Sequence, residues 1–331
     1  MPAAPDLSAV FVLPLALLFP YNAIVEFELL SRSPYDLTRC ALVFSQFPSD
    51  GTDGWTPARE ILPAQHARVH VINDEKVLVN VRQGETTEDG KERLLVTTHP
   101  SWPRHLAELK SRVAWQFHLD ADLMGFYRKA RRHPVIRPLV KQLYGVKPLR
   151  PATLFEMAVV AITEQQLSYP AAVKIRSRMV AALGEKLNCD GKVFTSFPTP
   201  RTLAACKIED LKAFSLSTRK AEYLIELAQK VTAGFDLESL RERTNPDILE
   251  MLTSLRGFGS WSAEYFISRG LGRTAVVAAD DLGIQTFVGK YLGPGRRVSS
   301  EECRKILHPW GPHKRWVVFY LFCASRLGLL A

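Results

Sequence analysis

The chain has 331 residues, of which 47% are hydrophobic and 23% are charged, a composition typical of folded proteins that excludes a largely disordered chain. Its net charge of +9 is unevenly distributed: residues 1–100 carry 8 basic and 13 acidic side chains, whereas residues 101–331 carry 35 and 21. A basic second part favours a polyanionic partner, although solvated surface charge would give the same count. We therefore predict two domains, 1–100 and 101–331, and expect the second to bind a polyanion.

Residues 9–25 form a strongly apolar segment near the N-terminus. Asp6 precedes this segment, no lysine or arginine does, and Pro14 and Pro20 interrupt it. A signal peptide begins with a basic region and a membrane span is longer, so we interpret the segment as an extension that packs on the first domain or is poorly ordered. A signal peptide is the alternative interpretation, and no membrane partner is predicted.

The cysteines are five in number and widely spaced in the sequence. An odd count without any Cys-x-x-Cys pair supports neither a zinc site nor an iron–sulfur cluster. We interpret them as buried thiols in a reducing compartment, and we predict no cofactor. They are Cys40, Cys189, Cys206, Cys303 and Cys323.

The first domain contains the patterns of several β-strands. Apolar and polar side chains alternate on both sides of Asn73-Asp74, which predicts a tight turn between two strands. A second turn signal at Asp89-Gly90 precedes another apolar run. An antiparallel sheet without a catalytic motif is therefore expected. Its predicted strands are residues 37–44, 68–72, 76–81 and 93–97.

After residue 100 the sequence changes to helical patterns for the rest of the chain, so the fold class is mostly α within an α+β arrangement. Residues 153–163 are apolar nearly all round, which predicts a central buried helix. Asn245 or Asp247 begins the helix that leads to residue 255. The other predicted helices are residues 103–115, 120–132, 134–144, 171–183, 202–205, 208–214 and 218–231.

Two glycines, Gly257 and Gly259, flank Phe258 between this helix and a second helical pattern that starts at Ser260. Glycine permits positive φ and close backbone approach, so residues 255–260 predict a helix-hairpin-helix. The amides at the start of its second helix favour an anion, and a nucleic-acid phosphate suits a basic chain. An ordinary helix corner without a ligand is the alternative.

Two further groups of residues could carry chemistry. Asp280 and Asp281 follow the small apolar run 274–279. A carboxylate at this place could lie at the rim of an apolar pocket, or it could cap the next helix. Both interpretations hold if each aspartate takes one of the two roles. Trp261 and Tyr265 lie one helical turn apart and share a face. Like Trp316 and Phe322 near the C-terminus, these aromatic residues could be core packing or a stacking pocket for a base.

Together these motifs resemble the helix-hairpin-helix DNA glycosylase superfamily, known as HhH-GPD, and its DNA-3-methyladenine glycosylase II branch. The similarity covers roughly residues 100–325. The stretches that carry it are LRGFGSWSAEYF at residues 255–266, AADDLGIQ at 278–285, FPTP at 197–200, LKAFSLSTRKAEYLIELA at 211–228, and LFE and ITEQQLS at 154–156 and 162–168.

The resemblance implies a role for each of several residues. Asp281 corresponds best to the catalytic aspartate, with Asp280 as its neighbour. Trp261 stands where members that also cut the strand have a lysine, which implies a monofunctional enzyme without lyase activity. Ala161 occupies the position of the glutamate of adenine-DNA glycosylases, and the nearby Glu164 is a weak substitute.

The same resemblance implies how damaged double-stranded DNA would be held. The flipped base would stack on Trp261, with Tyr265 and Phe322 as further walls. Gln165 and Gln166 stand where the family inserts a wedge into the gap in the duplex. The implied DNA contacts are Arg256, Gly257, Phe258, Gly259 and Trp261, with Arg296, Arg297, Lys314 and Arg315 as further basic candidates.

Three smaller expectations complete the prediction. Relatives often hold a monovalent cation on hairpin carbonyls, which here are those of Leu255 and Phe258. The expected substrates are 3-methyladenine and 7-methylguanine. One alternative is a glycosylase for another lesion, such as uracil, hypoxanthine or an oxidised base. The other is a DNA-binding protein without catalysis. The protein is expected to be a monomer, in the cytoplasm or nucleoid of a bacterium or in the nucleus of a eukaryote.

Overall fold

A computed structural model describes residues 27–32, 34–59, 63–101 and 103–330. The apolar segment 9–25, and with it the prediction made for it, lies outside the described residues. Within the described ranges, no helix has both the length and the apolarity needed to cross a bilayer. In the same ranges, no three His, Cys, Asp or Glu side chains gather as a metal site requires.

The N-terminal sheet has five antiparallel strands in the order β1-β5-β4-β3-β2. The three strands predicted at residues 68–72, 76–81 and 93–97 are confirmed as β3, β4 and β5. Asn73 and Asp74 form the β3–β4 turn with φ of +47° and +65°, which fits the type I′ hairpin expected from their sequence. The strand bounds are β1 Phe27–Leu30, β2 Gly54–Thr56, β3 Gln65–Ile72, β4 Glu75–Gln83 and β5 Arg93–His99.

The predicted strand at residues 37–44 is wrong, because Leu37–Phe44 is a helix, α1. Asp36 caps it by accepting a hydrogen bond from the Arg39 amide at 2.8 Å. Leu37, Cys40 and Ala41 are fully buried. Their spacing matches one face of a helix, so tertiary burial and the cap outweigh the β-propensity of the apolar run.

The helical part follows the predicted order closely. All of α5 is buried, which confirms the central buried helix. The helix bounds are α2 Leu106–Gln116, α3 Met124–Ala130, α4 Ile136–Gln142, α5 Leu154–Glu164, α6 Tyr169–Leu183, α7 Pro200–Ala204, α8 Ile208–Lys212, α9 Thr218–Thr232, α10 Asn245–Thr253, α11 Ser260–Tyr265, α12 Leu282–Leu292, α13 Ser300–Leu307 and α14 Lys314–Arg326. A π-helical turn, Phe266–Gly270, extends α11, and 3-10 turns occupy Glu238–Glu242 and His308–His313.

One hairpin interrupts the helical part, where only helices were expected. Its strands are β6, Lys186–Cys189, and β7, Lys192–Thr195. The Asp190-Gly191 turn between them, with φ of +48° and +74°, is the signal in the sequence that we missed. The hairpin packs on the N-terminal sheet through Leu187 and Cys189, so the sheet and the helical part are in contact.

The buried apolar residues form two main clusters that do not divide at residue 100. The first, here called the sheet cluster, joins residues of the N-terminal sheet to α1–α4, α12, α13 and α14. The second, here called the helical cluster, contains residues 154–271. The segment that connects α11 and its π-helical turn to α12 therefore passes from one cluster to the other, and Asp281 lies on this segment.

Candidate active site

The hairpin is built as a sharp turn between α10 and α11. Gly257 has φ +93°, and a Cβ atom on it would lie 2.5 Å from the ring of Tyr223, so no other residue fits there without strain. Gly259 is extended, with φ −98°, and the space beside its Cα is open. The amides of Gly257 and Gly259 have no acceptor among the described residues, and α11 has no side-chain cap. They remain available to an external acceptor.

We expect Gly257→Ala to destabilise the protein by roughly 2–5 kcal/mol, because left-handed backbone and steric overlap each cost about 1–3 kcal/mol. Urea unfolding of the two proteins measures this difference. Gly259→Ala is the matched control, for which a loss of at most about 1 kcal/mol is expected because Ala is a poorer N-cap than Gly. Equal losses in the two variants would contradict this account of the hairpin.

Asp281 is the N-cap of α12. Its Oδ1 accepts a hydrogen bond from the Ile284 amide at 3.0 Å, and its Oδ2 accepts one from the indole Nε1–H of Trp261 at 3.2 Å. Both carboxylate oxygens are therefore oriented by donors, and the residue remains partly exposed. The cap interpretation is therefore confirmed for Asp281, and its place at the rim of an apolar pocket stays a prediction.

Asp280 lies beside it but faces a different partner. Its carboxylate is 3.6 Å from the guanidinium of Arg304, and 42% of its side chain is exposed. Arg304 also donates to Glu264 at 3.1 Å. This difference in surroundings favours Asp281 over Asp280 for chemistry beside Trp261.

Trp261 and Tyr265 form a stacked pair, with ring centroids 5.2 Å apart and planes inclined by 18°. Both rings are partly exposed. The Tyr265 hydroxyl donates to Glu164 at 2.7 Å and accepts from Arg269, whose guanidinium lies 5.7 Å from the Tyr265 ring. Burial raises the pKa of Tyr265 above its ordinary range. The Tyr265 ring is therefore held in place by the polar contacts of its hydroxyl.

Glu164 is the centre of a buried polar network that the sequence did not reveal. It ends α5, is 9% exposed, and pairs with Arg176 at 2.9 Å and Arg269 at 3.4 Å. Arg176 in turn pairs with Asp50 beside the N-terminal sheet at 3.4 Å. The Glu164–Arg269 and Asp50–Arg176 contacts each join residues more than 100 positions apart, and no local sequence pattern reports them. Ala161, the other position considered, is fully buried.

Phe322 lies on α14, packs against the sheet cluster and is close to Asp281. Its ring packs against Phe287 with centroids 4.5 Å apart. A Cβ atom placed on Gly283 would lie 3.7 Å from the Phe322 ring and 3.0 Å from Asp281 Oδ1, so all three residues adjoin one another. The structure thus places Trp261, Asp281 and Phe322 next to one another, whereas Trp316 is buried in the core.

The loop after α5 is held by hydrogen bonds from two side chains, Gln165 and Lys220. Gln165 donates through Nε2 to the Gly257 carbonyl at 2.6 Å and the Ser262 hydroxyl at 2.8 Å. Lys220 donates through Nζ to the carbonyl of Gln165 at 2.6 Å. Gln166 is exposed with φ +53°. Of the two predicted wedge residues, Gln166 therefore has the free side chain, whereas Gln165 joins the loop to the hairpin.

The predicted basic contacts differ in their surroundings. Arg256 pairs with Glu222 and Glu226 on α9, and Arg296 pairs with Glu302, so DNA binding by either would require exchange of an ion pair. The side chains of Arg297, Lys314 and Arg315 have no ion pair with the described residues. Burial, together with the nearby charge of Arg269, lowers the pKa of Arg315 to about 10.

The hairpin carbonyls named for a monovalent cation are only partly engaged. The Leu255 carbonyl accepts one hydrogen bond, from the Phe258 amide at 3.0 Å. A carbonyl has two lone pairs, so one remains for a cation. This donor set fits a monovalent ion, and the cation stays a prediction.

Comparison with known proteins finds one family. Residues 159–312 match the model of the HhH-GPD superfamily base excision DNA repair protein. The matched range contains the loop after α5, the hairpin and Asp281. Over this range the chain is similar to the HhH-GPD superfamily. The sheet and Phe322 lie outside the matched range, so their position relative to Asp281 comes from the structure.

Individual proteins similar to this chain agree with that match. A DNA-3-methyladenine glycosylase of Bacillus subtilis is 25% identical over 257 residues, which cover 77% of this chain and 80% of the relative. DNA-3-methyladenine glycosylase 2 of Escherichia coli is 31% identical over 172 residues, 51% of this chain and 56% of the relative. The structure of a 3-methyladenine DNA glycosylase from Archaeoglobus fulgidus superposes with a TM-score of 0.77 at 25% identity, covering 92% of this chain and all of the other.

Proposed function

We propose that this protein is a monofunctional DNA glycosylase that removes alkylated purines, such as 3-methyladenine and 7-methylguanine, from double-stranded DNA. The observation that carries the proposal is the Asp281 carboxylate, oriented by Trp261 and the Ile284 amide beside the stacked pair of Trp261 and Tyr265. The DNA-3-methyladenine glycosylase relatives support the choice of alkylated purines.

The first task of the protein is to hold the duplex with one base extruded. The amides of the hairpin bind a backbone phosphate without reading sequence. Gln166 enters the gap that the base leaves, supported by the neighbouring Leu167, which is 42% exposed. Extrusion costs a few kcal/mol, and least at a damaged base, so damage itself contributes to selectivity.

The cleft then binds the extruded base by stacking. A purine ring on the face of Trp261 gains about 1–3 kcal/mol, and a cationic alkylpurine gains roughly 0.5–2 kcal/mol from the electron-rich ring face. Phe322 closes the cleft from the opposite cluster. Because these contacts are made by ring faces, they accept several alkylated purines.

Hydrolysis requires little more than stabilisation of the sugar. The bond between C1′ and the base nitrogen breaks, and its electron pair leaves with the base, which the alkyl group has already made cationic. The Asp281 carboxylate stabilises the oxocarbenium-like sugar and orients the water that adds to C1′, and the water proton passes to the carboxylate or to solvent. The products are the free base and an abasic site.

The monofunctional character rests on Trp261. Strand cleavage by a glycosylase proceeds through a Schiff base, which needs a primary amine at C1′. An indole has no such amine, and its N–H donates to Asp281 instead. We therefore infer that the strand stays intact after base release.

A release assay on methylated duplex DNA tests the proposal. We expect free 3-methyladenine, an uncut strand, and no protein–DNA adduct after borohydride reduction. A bifunctional glycosylase on its own substrate is the positive control for trapping. A trapped adduct would contradict the monofunctional mechanism, and release of only uracil, hypoxanthine or an oxidised base from a damage panel would contradict the substrate class.

A further inference from the structure

A second cavity, of about 400 Å³, lies at the end of the π-helical turn that is farther from the hairpin. The helical segment from Ser260 to Gly270 lies between the hairpin and this cavity. A helix of that length spans about 15 Å at 1.5 Å per residue. None of Trp261, Tyr265 or Asp281 lines this cavity. It is therefore distinct from the base cleft. The lining residues that matter here are Trp115, His118, Arg150, Arg241, Arg273 and Trp316.

The inner wall of this cavity is cationic, and its acidic groups lie at the rim. Arg150 is 5% exposed and pairs with Asp120 at 3.0 Å, whereas 66% of the Asp120 side chain is exposed. Arg273 donates to the backbone carbonyl of Arg241 at 2.7 Å and has no carboxylate partner among the described residues. Burial lowers the pKa of the Arg150 guanidinium, an effect that Asp120 opposes and the nearby arginines reinforce. Arg241 pairs with Glu238, so Arg273 is the guanidinium of this cavity that has no carboxylate partner among the described residues, and a bound anion would pair with it.

Several buried donors around the cavity are unsatisfied by the described protein. Trp115 Nε1, Arg150 Nε and Arg241 Nε have no hydrogen-bond partner there. The guanidinium carbons of Arg150 and Arg241 lie 3.9 and 4.0 Å from the Trp115 ring centroid. Buried polar groups are normally hydrogen-bonded, so three such donors beside one cavity favour a ligand that carries acceptor oxygens.

We propose that this cavity binds a small phosphorylated molecule of about mononucleotide size. Three guanidinium groups match the several oxygens of a phosphoryl group. The volume exceeds that of a lone phosphate and lies within the range of small-molecule sites.

A bound ligand would also act on the chain segment that leads to Asp281. Leu271, Gly272, Arg273 and Thr274 line the cavity and begin that segment. The Thr274 carbonyl accepts a hydrogen bond from the Arg315 amide at 3.0 Å, which ties the segment to the start of α14. The ligand therefore stabilises the connection between the two clusters, independently of the DNA-binding hairpin.

Calorimetric titration of the full chain tests the proposal with three probes at constant ionic strength: inorganic phosphate, adenosine 5′-monophosphate and adenosine. We expect saturable binding of the first two and none of adenosine. The double variant Arg241→Gln/Arg273→Gln should raise the Kd at least about tenfold, because it removes two charge-assisted contacts. Arg201→Gln is the matched control, since Arg201 is exposed and pairs only with Asp74, and it should bind as the wild type does.

Two further measurements distinguish a specific site from general anion binding. Thr274→Asp adds a negative charge at the cavity without removing an arginine, and it should weaken phosphate binding while the melting temperature without ligand changes little. Excess duplex with an abasic-site analogue occupies the hairpin and should leave phosphate binding intact. The proposal is overturned by absence of saturable binding, by equal weakening in the Arg201 control, or by loss of binding when DNA is added.

Discussion

Replacing Asp281 with Asn is expected to lower the rate of base release by about 10³-fold or more, equivalent to about 4 kcal/mol of transition-state stabilisation. A neutral amide cannot balance the positive charge that develops on the sugar. The fold should survive, because Asn is as good an N-cap as Asp and its Oδ1 can still accept the Ile284 amide. DNA affinity should therefore remain close to that of the wild type.

Single-turnover release from methylated duplex, with DNA affinity measured separately, checks this expectation. Asp280→Asn is the matched control, since that residue pairs with Arg304 at the surface and has no contact with Trp261 in the structure. Its release rate should stay within about threefold of the wild type, as expected for an exposed ion pair. If Asp280→Asn abolishes release and Asp281→Asn does not, the two aspartates have been assigned the wrong roles.

Replacing Trp261 with Ala is expected to lower release by roughly 10²–10⁴-fold. The substitution removes a stacking face worth about 1–3 kcal/mol and a hydrogen bond to a charged group worth about 1.5–3 kcal/mol. Trp261→Phe keeps an aromatic face but loses the N–H that donates to Asp281, so its loss should be about 10–10²-fold.

The comparison of the two Trp261 variants separates stacking from carboxylate orientation. Single-turnover rates at saturating protein report the chemical step, and binding to a duplex with an abasic site reports the hairpin. Both variants should bind the abasic duplex equally well, because the hairpin amides are unchanged. Identical rates for Phe and Ala would show that the ring face contributes nothing, and would remove stacking from the mechanism.

The parts of this molecule that depend on local sequence were predictable. The Asn73-Asp74 turn with alternating strands on either side gave β3 and β4, and the uniformly apolar run at residues 153–163 gave the buried α5. The two glycines around Phe258 located the hairpin, although only Gly257 has the positive φ that glycine favours. The relation of this hairpin to Asp281 came from resemblance to a family rather than from spacing.

The parts that depend on distant contacts were not predictable. Glu164 was considered only as a weak substitute for another residue, and its pairing with Arg176 and Arg269 arises from tertiary packing. Lys220, which donates to the backbone after α5, stands in an ordinary amphipathic helix and carries no motif. The apolar run at residues 37–44 suits a strand or a helix, and burial decides between them.

The structure of the Asp281→Asn variant bound to a duplex that contains one stable alkylated purine would test the central claim most directly. Because this variant should bind without releasing the base, it holds the complex before reaction. The account predicts an extruded base on the face of Trp261, Phe322 at its other side, and the residue 281 amide beside C1′ of the sugar. A base that remains stacked in the duplex, or that lies in another cavity, would contradict it.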